Sequence, residues 1–327
     1  MAETVTTDIL VVGAGPVGLF GAYTAGFRGL STVLVDALPQ CGGQISALYP
    51  EKEIRDIAAV PGALGREVVA ALKAQADAFD PTYLLGREAT DLAYSADGRP
   101  VVTLSDGTVV VAGAVVVTAG IGTFTPRTLP AGEEFLDRGL SYFVPDPQEH
   151  AGRDVLVVGG GDSAVDWALT LRTIARSVTV VHRRSAFRAH AASVRELHES
   201  GIEIITDAQV ETLHGNGVVQ EARIRVDGRD EPRVLPVDSV VAALGFISNL
   251  GPLTKWGMEL DRRTIVVDSR MRTTADRVYA AGDITSYPGK VRLMSVGFGE
   301  VATAVNNAAV ALNPELSLFP GHSTDAA

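Results

Sequence analysis

Short apolar runs without polar–apolar alternation recur along the chain: Asp8 to Val12, Thr32 to Val35, Ala114 to Gly120, Asp154 to Val158, Val178 to Val181, Ser239 to Gly245 and Val278 to Ala281. Strands buried on both faces read this way, as in parallel sheets covered by helices. Helical spacing predicts a small-residue helix after Gly13 to about Arg28 and another over Gly65 to Phe79 (Val68, Val69, Leu72, Ala76, Phe79). In the latter, Lys73 and Asp77 form an exposed i,i+4 pair. A further helix is predicted over roughly Val296 to Leu312. Tyr83–Leu85, Asp91–Tyr94, Val101–Leu104 and, after the turn Ser105-Asp106-Gly107, Thr108–Val111 predict a strand and a small meander. Glu203–Val210 and Val219–Val226 predict a second strand set.

The first run leads into Gly13-Ala14-Gly15-Pro16-Val17-Gly18, and the next strand ends on Asp36. Each residue suits a dinucleotide: Gly13 permits a tight turn, Gly15 lets a pyrophosphate approach the backbone, and Gly18 lets helix and strand pack closely. Pro16 fits the first helical turn. The free N–H groups and positive dipole end favour phosphates, and Asp36 can accept ribose hydroxyls.

At a constant offset of 146 the chain repeats this pattern. Gly13 falls on Gly159, Gly15 on Gly161 and Gly18 on Ala164, within Gly159-Gly160-Gly161-Asp162-Ser163-Ala164. Asp36 falls on His182, followed by Arg183, Arg184 and Arg188. Guanidiniums there would clamp a 2′-phosphate through charge-assisted bonds, so the second site should prefer NADPH to NADH. The first, with its acid, suits the adenosine ribose of FAD or NAD.

Three further places carry candidate chemistry. Cys41-Gly42-Gly43-Gln44 brings backbone close to a flat ligand, and Gln44 can bond a ring edge, or the segment is an ordinary turn. Tyr49, in a proline-fixed turn, stacks on a ring or plugs the core. Gly282-Asp283 puts a carboxylate at the C-terminal edge of a buried strand, as a ligand to a polyhydroxylated linker or as a cap.

The chain has 327 residues, 46% hydrophobic and 20% charged, which fits two globular domains. No basic, apolar leader is visible at Met1-Ala2-Glu3-Thr4 and no run is long enough to span a bilayer, so a cytoplasmic protein without membrane association is expected. A net charge of −11 argues against non-specific nucleic-acid binding. The single cysteine, Cys41, excludes an internal disulfide and a thiolate-rich metal site; no metal is expected.

Two nucleotide motifs with a Gly-Asp strand end near the C-terminus resemble the two-dinucleotide-binding-domain flavoproteins. More narrowly, Gly42-Gly43-Gln44, Tyr49-Pro50-Glu51-Lys52, Phe124-Thr125-Pro126-Arg127, His182-Arg183-Arg184 with Phe187-Arg188, Gly297-Phe298-Gly299-Glu300 and His322-Ser323 resemble the thioredoxin-reductase-like (type 2) ferredoxin–NADP reductases. The resemblance covers nearly the whole chain.

It implies an α/β fold of two Rossmann-like, three-layer ββα dinucleotide-binding domains: a discontinuous FAD domain (1–122 and 246–327) and an NADPH domain (123–245). It implies FAD bound by Gly13, Gly15, Pro16, Gly18, Asp36, Gly43, Gln44 and Asp283, with Ala89 near the adenine and Phe124 lining the cofactor. Tyr49 would stack on one flavin face and His322 on the other, from the same chain or from the partner of a homodimer, with Ser323 or Thr324 near the flavin edge. NADPH would lie on Gly159, Gly161, Asp162, Ser163, Ala164, His182, Arg183, Arg184 and Arg188. Asp36 departs from the family, which more often has Glu there, and Cys41 has no role that the resemblance assigns.

The activity so implied is hydride transfer between NADPH and FAD and one-electron transfer between FAD and ferredoxin, with no obligatory acid or base. Other readings are an NADPH-dependent flavoenzyme acting on flavodoxin, a quinone or an external disulfide, or a non-catalytic flavin sensor. Thioredoxin reductase itself needs a Cys-x-x-Cys before the second motif, where Tyr142-Phe143-Val144-Pro145-Asp146 has no sulfur.

Overall fold

The computed structural model describes residues 3–322, the side chains of residues 123–125 and 248 excepted. The chain divides into two compact units, residues 1–123 with 248–327, and residues 124–247.

The first unit begins with the expected β1 (Thr4–Val12), α1 (Pro16–Phe27) and β2 (Thr32–Asp36). A one-turn α2 (Gln44–Leu48) follows, then α3 (Gly65–Asp77), β3 (Thr82–Leu85), β4 (Ala89–Tyr94), β5 (Pro100–Leu104) and β6 (Val109–Val117). They build a seven-stranded sheet in the order β3-β2-β1-β6-β5-β4, with the strand Val278–Ala280 also paired to β6. β1, β2, β3 and Val278–Ala280 run parallel to their neighbours, whereas β4, β5 and β6 form an antiparallel meander.

The sequence pattern splits Thr108–Val111 from Ala114–Gly120, but the structure joins them in one strand. β6 runs through Gly113, where a Cβ would meet Asp8 O at 2.8 Å and Leu312 at 2.7 Å. Its first part receives the meander and its last part Val278–Ala280, while β1 pairs along its whole length. One strand thus fuses the meander to the parallel sheet, which apolar run lengths alone do not reveal.

The core is central and fully buried: Ile9, Leu10 and Val11 on β1, Val115 to Val117 on β6, and Leu19 and Ala25 on α1. Val301, Ala304, Val305 and Ala308 bury one face of the C-terminal helix, Met294–Leu312. That helix approaches α1 closely, since a Cβ on Gly21 would lie 2.7 Å from Val301.

The second unit repeats the plan in smaller form. A five-stranded parallel sheet joins β7 (Leu140–Ser141), β8 (Asp154–Val158), β9 (Ser177–Val181), β10 (Glu203–Ile205) and Ser239–Ala242, with α4 (Asp162–Leu171) and α5 (Ala191–Glu199) between its strands. Glu203–Val210, one strand in the sequence reading, is two. Asp207 takes φ +49°, and the chain leaves the parallel sheet for a three-stranded antiparallel one (Ala208–His214, Glu221–Val226, Arg233–Pro236).

Candidate active site

The first glycine turn is built as its residue types require. Gly13 sits at φ +112°, where a Cβ would come 2.6 Å from Thr118 O, and Gly18 cannot carry one because Gly13 O would be 1.8 Å away. Gly15 is different: a Cβ there meets only Gly43 Cα, at 3.9 Å. Gly42 N donates to Ala14 O at 2.8 Å, which lays the Gly42-Gly43 loop beside the turn. The α1 N-terminus has no side-chain cap. Open backbone, a facing glycine and uncapped N–H groups fit a pyrophosphate.

Asp36, at the end of β2, is largely buried. Its Oδ2 accepts from Ala14 N at 2.6 Å and its Oδ1 from Leu38 N at 2.8 Å. Burial pushes its carboxyl above the ordinary range, and the two backbone bonds only partly offset this. Arg87 N donates to Asp36 O at 3.0 Å, bringing the start of β4 and the buried Ala89 to the same sheet edge.

The loop before α2 turns through Gly42 (φ +107°) and Gly43 (φ +54°). Gln44, the first residue of α2, holds its amide Nε2 3.0 Å from where a Cβ on Gly120 would stand, just past β6. Tyr49 caps α2 and packs partly buried against the core. Its phenol is pushed up to about 12, chiefly by burial and then by the charges of Asp283 and Asp56. Asp283, far from Tyr49 in sequence, is thus among the charges its phenol feels. The Asp283 carboxyl is itself raised by burial, with Lys290 and Arg292 pulling it down and Glu300 pushing it up. Cys41 is buried beneath the double glycine, and burial raises its thiol.

Sequence reasoning gave no role to Glu300 and missed its partners Tyr287 and Lys290 beside the Gly282-Asp283 turn. Glu300, 5% exposed, accepts from Gly282 N at 2.7 Å through Oε2, and its Oε1 receives the Tyr287 hydroxyl and the Lys290 ammonium. The Gly297-Phe298-Gly299-Glu300 motif marked the place without indicating the buried partner lysine.

In the second unit Gly159 (φ +153°) is closed, a Cβ meeting Ala243 O at 2.4 Å and Ala164 Cβ at 2.9 Å, while Gly161 has nothing within 4 Å. Arg188 N donates to Gly160 O at 2.8 Å, and Asp162 Oδ1 accepts from His190 N at 2.8 Å. These bonds tie the basic segment to the turn. Ser163 is exposed in the first turn of α4. Arg183, Arg184 and Arg188 are exposed and, among the described residues, outside any ion pair.

His182, unlike the arginines, is buried. It is 8% exposed, lies flat against Gly160, stacks on Phe187 at 5.1 Å and bonds Ala186 O through Nε2 at 3.1 Å. Burial lowers the imidazole pKa, the bond to Ala186 O opposes this, and the neighbouring arginines lower it further. The ring packs between Gly160 of the turn and Phe187 of the basic segment.

The remaining expected residues are less central. Phe124 lies on the strand Thr123–Pro126, its side chain outside the described residues. Ser323 and Thr324 also lie outside them. His322 is exposed and meets Phe319 edge-on at 5.0 Å. The tail is tied to Arg28, whose guanidinium donates to Ser317 O at 2.9 Å. Arg28 caps the C-terminal end of α1, and the glycine turn lies at the other end, about 18 Å away at 1.5 Å per residue. Ser317 and Leu318 thus lie at the end of α1 remote from the glycine turn.

No helix among the described residues is long and apolar enough to cross a membrane. A family profile described as "Pyridine nucleotide-disulphide oxidoreductase" matches residues 7–308. A protein of Salinispora arenicola named "Ferredoxin--NADP reductase" is 60% identical over 97% of this chain and 98% of its own. One of the same name from Thermus thermophilus is 46% identical over 98% and 97%. Among solved structures, the thioredoxin reductase of T. acidophilum superposes with a TM-score of 0.80 at 27% identity, covering 94% of this chain and 97% of its own. That of Lactococcus lactis, at 23% identity and a TM-score of 0.80, shares the fold over 95% and 100%. The chain therefore belongs to the pyridine nucleotide–disulphide oxidoreductases and, within them, to the ferredoxin–NADP reductases built on the thioredoxin-reductase fold.

Proposed function

We propose that this chain is an FAD-dependent ferredoxin–NADP reductase, with FAD on the first unit and NADPH on the second. FAD supplies the chemistry that nicotinamide lacks, taking electrons as a hydride pair and releasing them singly to ferredoxin. The observation that carries the reading is the pair of open glycine turns, Gly15 and Gly161, one closed by an acid and the other flanked by exposed guanidiniums.

The chain's own work is to bind and orient. Gly13, Gly15, Pro16 and Gly18 shape the pyrophosphate seat, Asp36 takes the ribose hydroxyls, and Ala89 borders the adenine. Gly43, Gln44 and Asp283 fix the ring and its linker, Phe124 lines the site, and Tyr49 supplies one stacking face. Its raised phenol stays protonated at working pH, so it presents a neutral ring. Gly159, Gly161, Asp162, Ser163 and Ala164 seat the NADPH pyrophosphate, and Arg183, Arg184 and Arg188 grip the 2′-phosphate. The uncapped N-terminus of the C-terminal helix presents free N–H groups beside Asp283 and favours negative charge there.

The tail bears on assembly. The chain is read as a homodimer in which each tail, bonded to Arg28 through Ser317 and Leu318, brings His322 over the partner's flavin. Thioredoxin reduction is disfavoured because the one cysteine, Cys41, is buried and has no second thiol. The protein works in the cytoplasm.

The test is anaerobic, NADPH-driven reduction of a low-potential ferredoxin read through cytochrome c, with parallel samples lacking ferredoxin, containing flavodoxin, or using NADH. A ferredoxin-dependent rate that falls steeply with NADH is expected. Flavin bleaching by NADPH without a ferredoxin effect would remove ferredoxin from the reading and leave the cofactors.

A further inference from the structure

The Gly282-Asp283 turn is held from behind by a buried charged pair to which the reaction above gives no part. Glu300 is 5% exposed and the Lys290 side chain 9% exposed. One carboxylate oxygen accepts Gly282 N–H at 2.7 Å, and the other receives Lys290 Nζ and the Tyr287 hydroxyl. Burying two such charges is costly, and apolar residues of similar volume often serve stability as well. Packing alone therefore does not call for the pair.

Its position suggests its use. The bond to Gly282 N stands one residue before Asp283, and Lys290 and Glu300 act on the Asp283 carboxyl with opposite sign. The turn has no slack on its other side. A Cβ on Gly297 would lie 2.6 Å from Val17 and one on Gly282 would lie 3.3 Å from it, so helix start, turn and α1 are wedged together. Moving Glu300 would move Asp283.

We propose that Glu300 and Lys290 form a positioning pair that seats the Gly282-Asp283 turn and balances the charge the flavin senses, and so helps to set its reduction potential. The proposal rests on the reading that the first unit binds FAD. Reduction adds negative charge to the ring, so an unbalanced Lys290 ammonium favours it and an unbalanced Glu300 carboxylate opposes it. Glu300→Gln keeps the shape and the acceptor for Gly282 N–H while removing the charge. Lys290→Met keeps the length and leaves the carboxylate alone.

The experiment uses purified holoprotein of wild type, Glu300→Gln, Lys290→Met and the double variant. The released flavin is identified chromatographically, and the midpoint potential of the bound flavin is read by equilibration with reference dyes. The expected result is a rise for Glu300→Gln, a fall for Lys290→Met and a value between them for the double variant. Shifts of the same sign in both single variants, or an unmoved potential in Glu300→Gln, would overturn the proposal, the latter even where Lys290→Met does not fold. Wild-type protein that carries no FAD would overturn the cofactor reading itself, an outcome separate from an unmoved potential.

Discussion

Asp36, at the end of the second strand, reaches back to the turn that follows the first: its Oδ2 lies 2.6 Å from Ala14 N. At the offset of 146, the same two positions in the second unit are His182 and Gly160, and these also touch, imidazole against glycine. In each unit the residue that closes the second strand braces its own glycine turn. The first does so with a carboxylate and the second with an imidazole, and exposed arginines follow it. Asp36→Ala should therefore weaken FAD binding beyond the loss of ribose contacts, because Ala14 N and Leu38 N lose their partner. At about 1–3 kcal/mol for an unsatisfied buried group, apo-protein titration should show a fall of roughly 10- to 100-fold or more. Asp36→Glu, the residue more common in the family, should retain most of the affinity. Equal loss in both variants would contradict the bracing role.

The glycines separate by what stands in front of them. Gly15→Ala adds a methyl with no protein atom closer than 3.9 Å, so the apo melting temperature should barely move. That methyl occupies the pyrophosphate seat, and FAD affinity should drop by about 100-fold, on the order of 3 kcal/mol. Gly18→Ala, facing Gly13 O at 1.8 Å, should instead destabilise the fold itself. Thermal melts of the apo variants beside flavin titrations distinguish the two, and a large melting shift for Gly15→Ala would refute the distinction.

These contrasts also show what the sequence made legible. The glycine spacing, the repeat and the arginine cluster were readable because each is local: a turn, a helix start and a strand end fall within one βαβ unit. Three things were not. β6 runs unbroken through Gly113, with β1 paired along one edge and β5 and Val278–Ala280 sharing the other, a fact of sheet order rather than of pattern. His182 looks like a ligand in a His-Arg-Arg run, and only the packing of Gly160 and Phe187 turns its ring inward. Lys290 and Glu300 are ten residues apart across a turn and a helix start, so no periodicity couples them.

The arginines and the histidine should separate kinetically. Arg183→Ala or Arg184→Ala should raise KM for NADPH by roughly 10- to 100-fold, from about 1.5–3 kcal/mol per bond to a charged group, and leave NADH kinetics nearly unchanged. His182→Ala removes the ring packed between Gly160 and Phe187, so it should loosen the turn and impair NADPH and NADH alike. Steady-state kinetics with both nucleotides is the measurement. An NADPH-only defect in His182→Ala would restore the histidine to the 2′-phosphate site.

Asp283 carries a pH signature of opposite sign to an ordinary ion-paired acid. Its carboxyl is raised, mainly by burial, so the folded apo-protein binds that proton more tightly than the unfolded chain. The charged form costs stability that is absent below the ordinary carboxylate value and sets in as pH rises through it towards the raised value. Asp283→Asn should therefore melt higher than wild type at pH 7, with the gain shrinking as pH falls towards about 4 and lost below it, while FAD affinity declines. Melts of apo-protein across pH 3–7 test this; a variant that gains most at low pH would reverse the assignment.

The tail offers the sharpest test of assembly. Arg28 holds Ser317 and Leu318, so truncation after Phe319 removes His322, Ser323 and Thr324 and leaves the tether in place. If the imidazole covers a flavin face, nicotinamide reaches that face only when the ring moves aside, and the tail is a gate. Anaerobic stopped-flow mixing with NADPH should then show a changed hydride-transfer rate in the truncated protein, and an unchanged rate would end the gate. Arg28→Ala discriminates further. Loosening the tether frees the tail at its root without touching His322, so a rate change there as well as in the truncation would show that the anchor at one end of α1 governs the cover of the flavin.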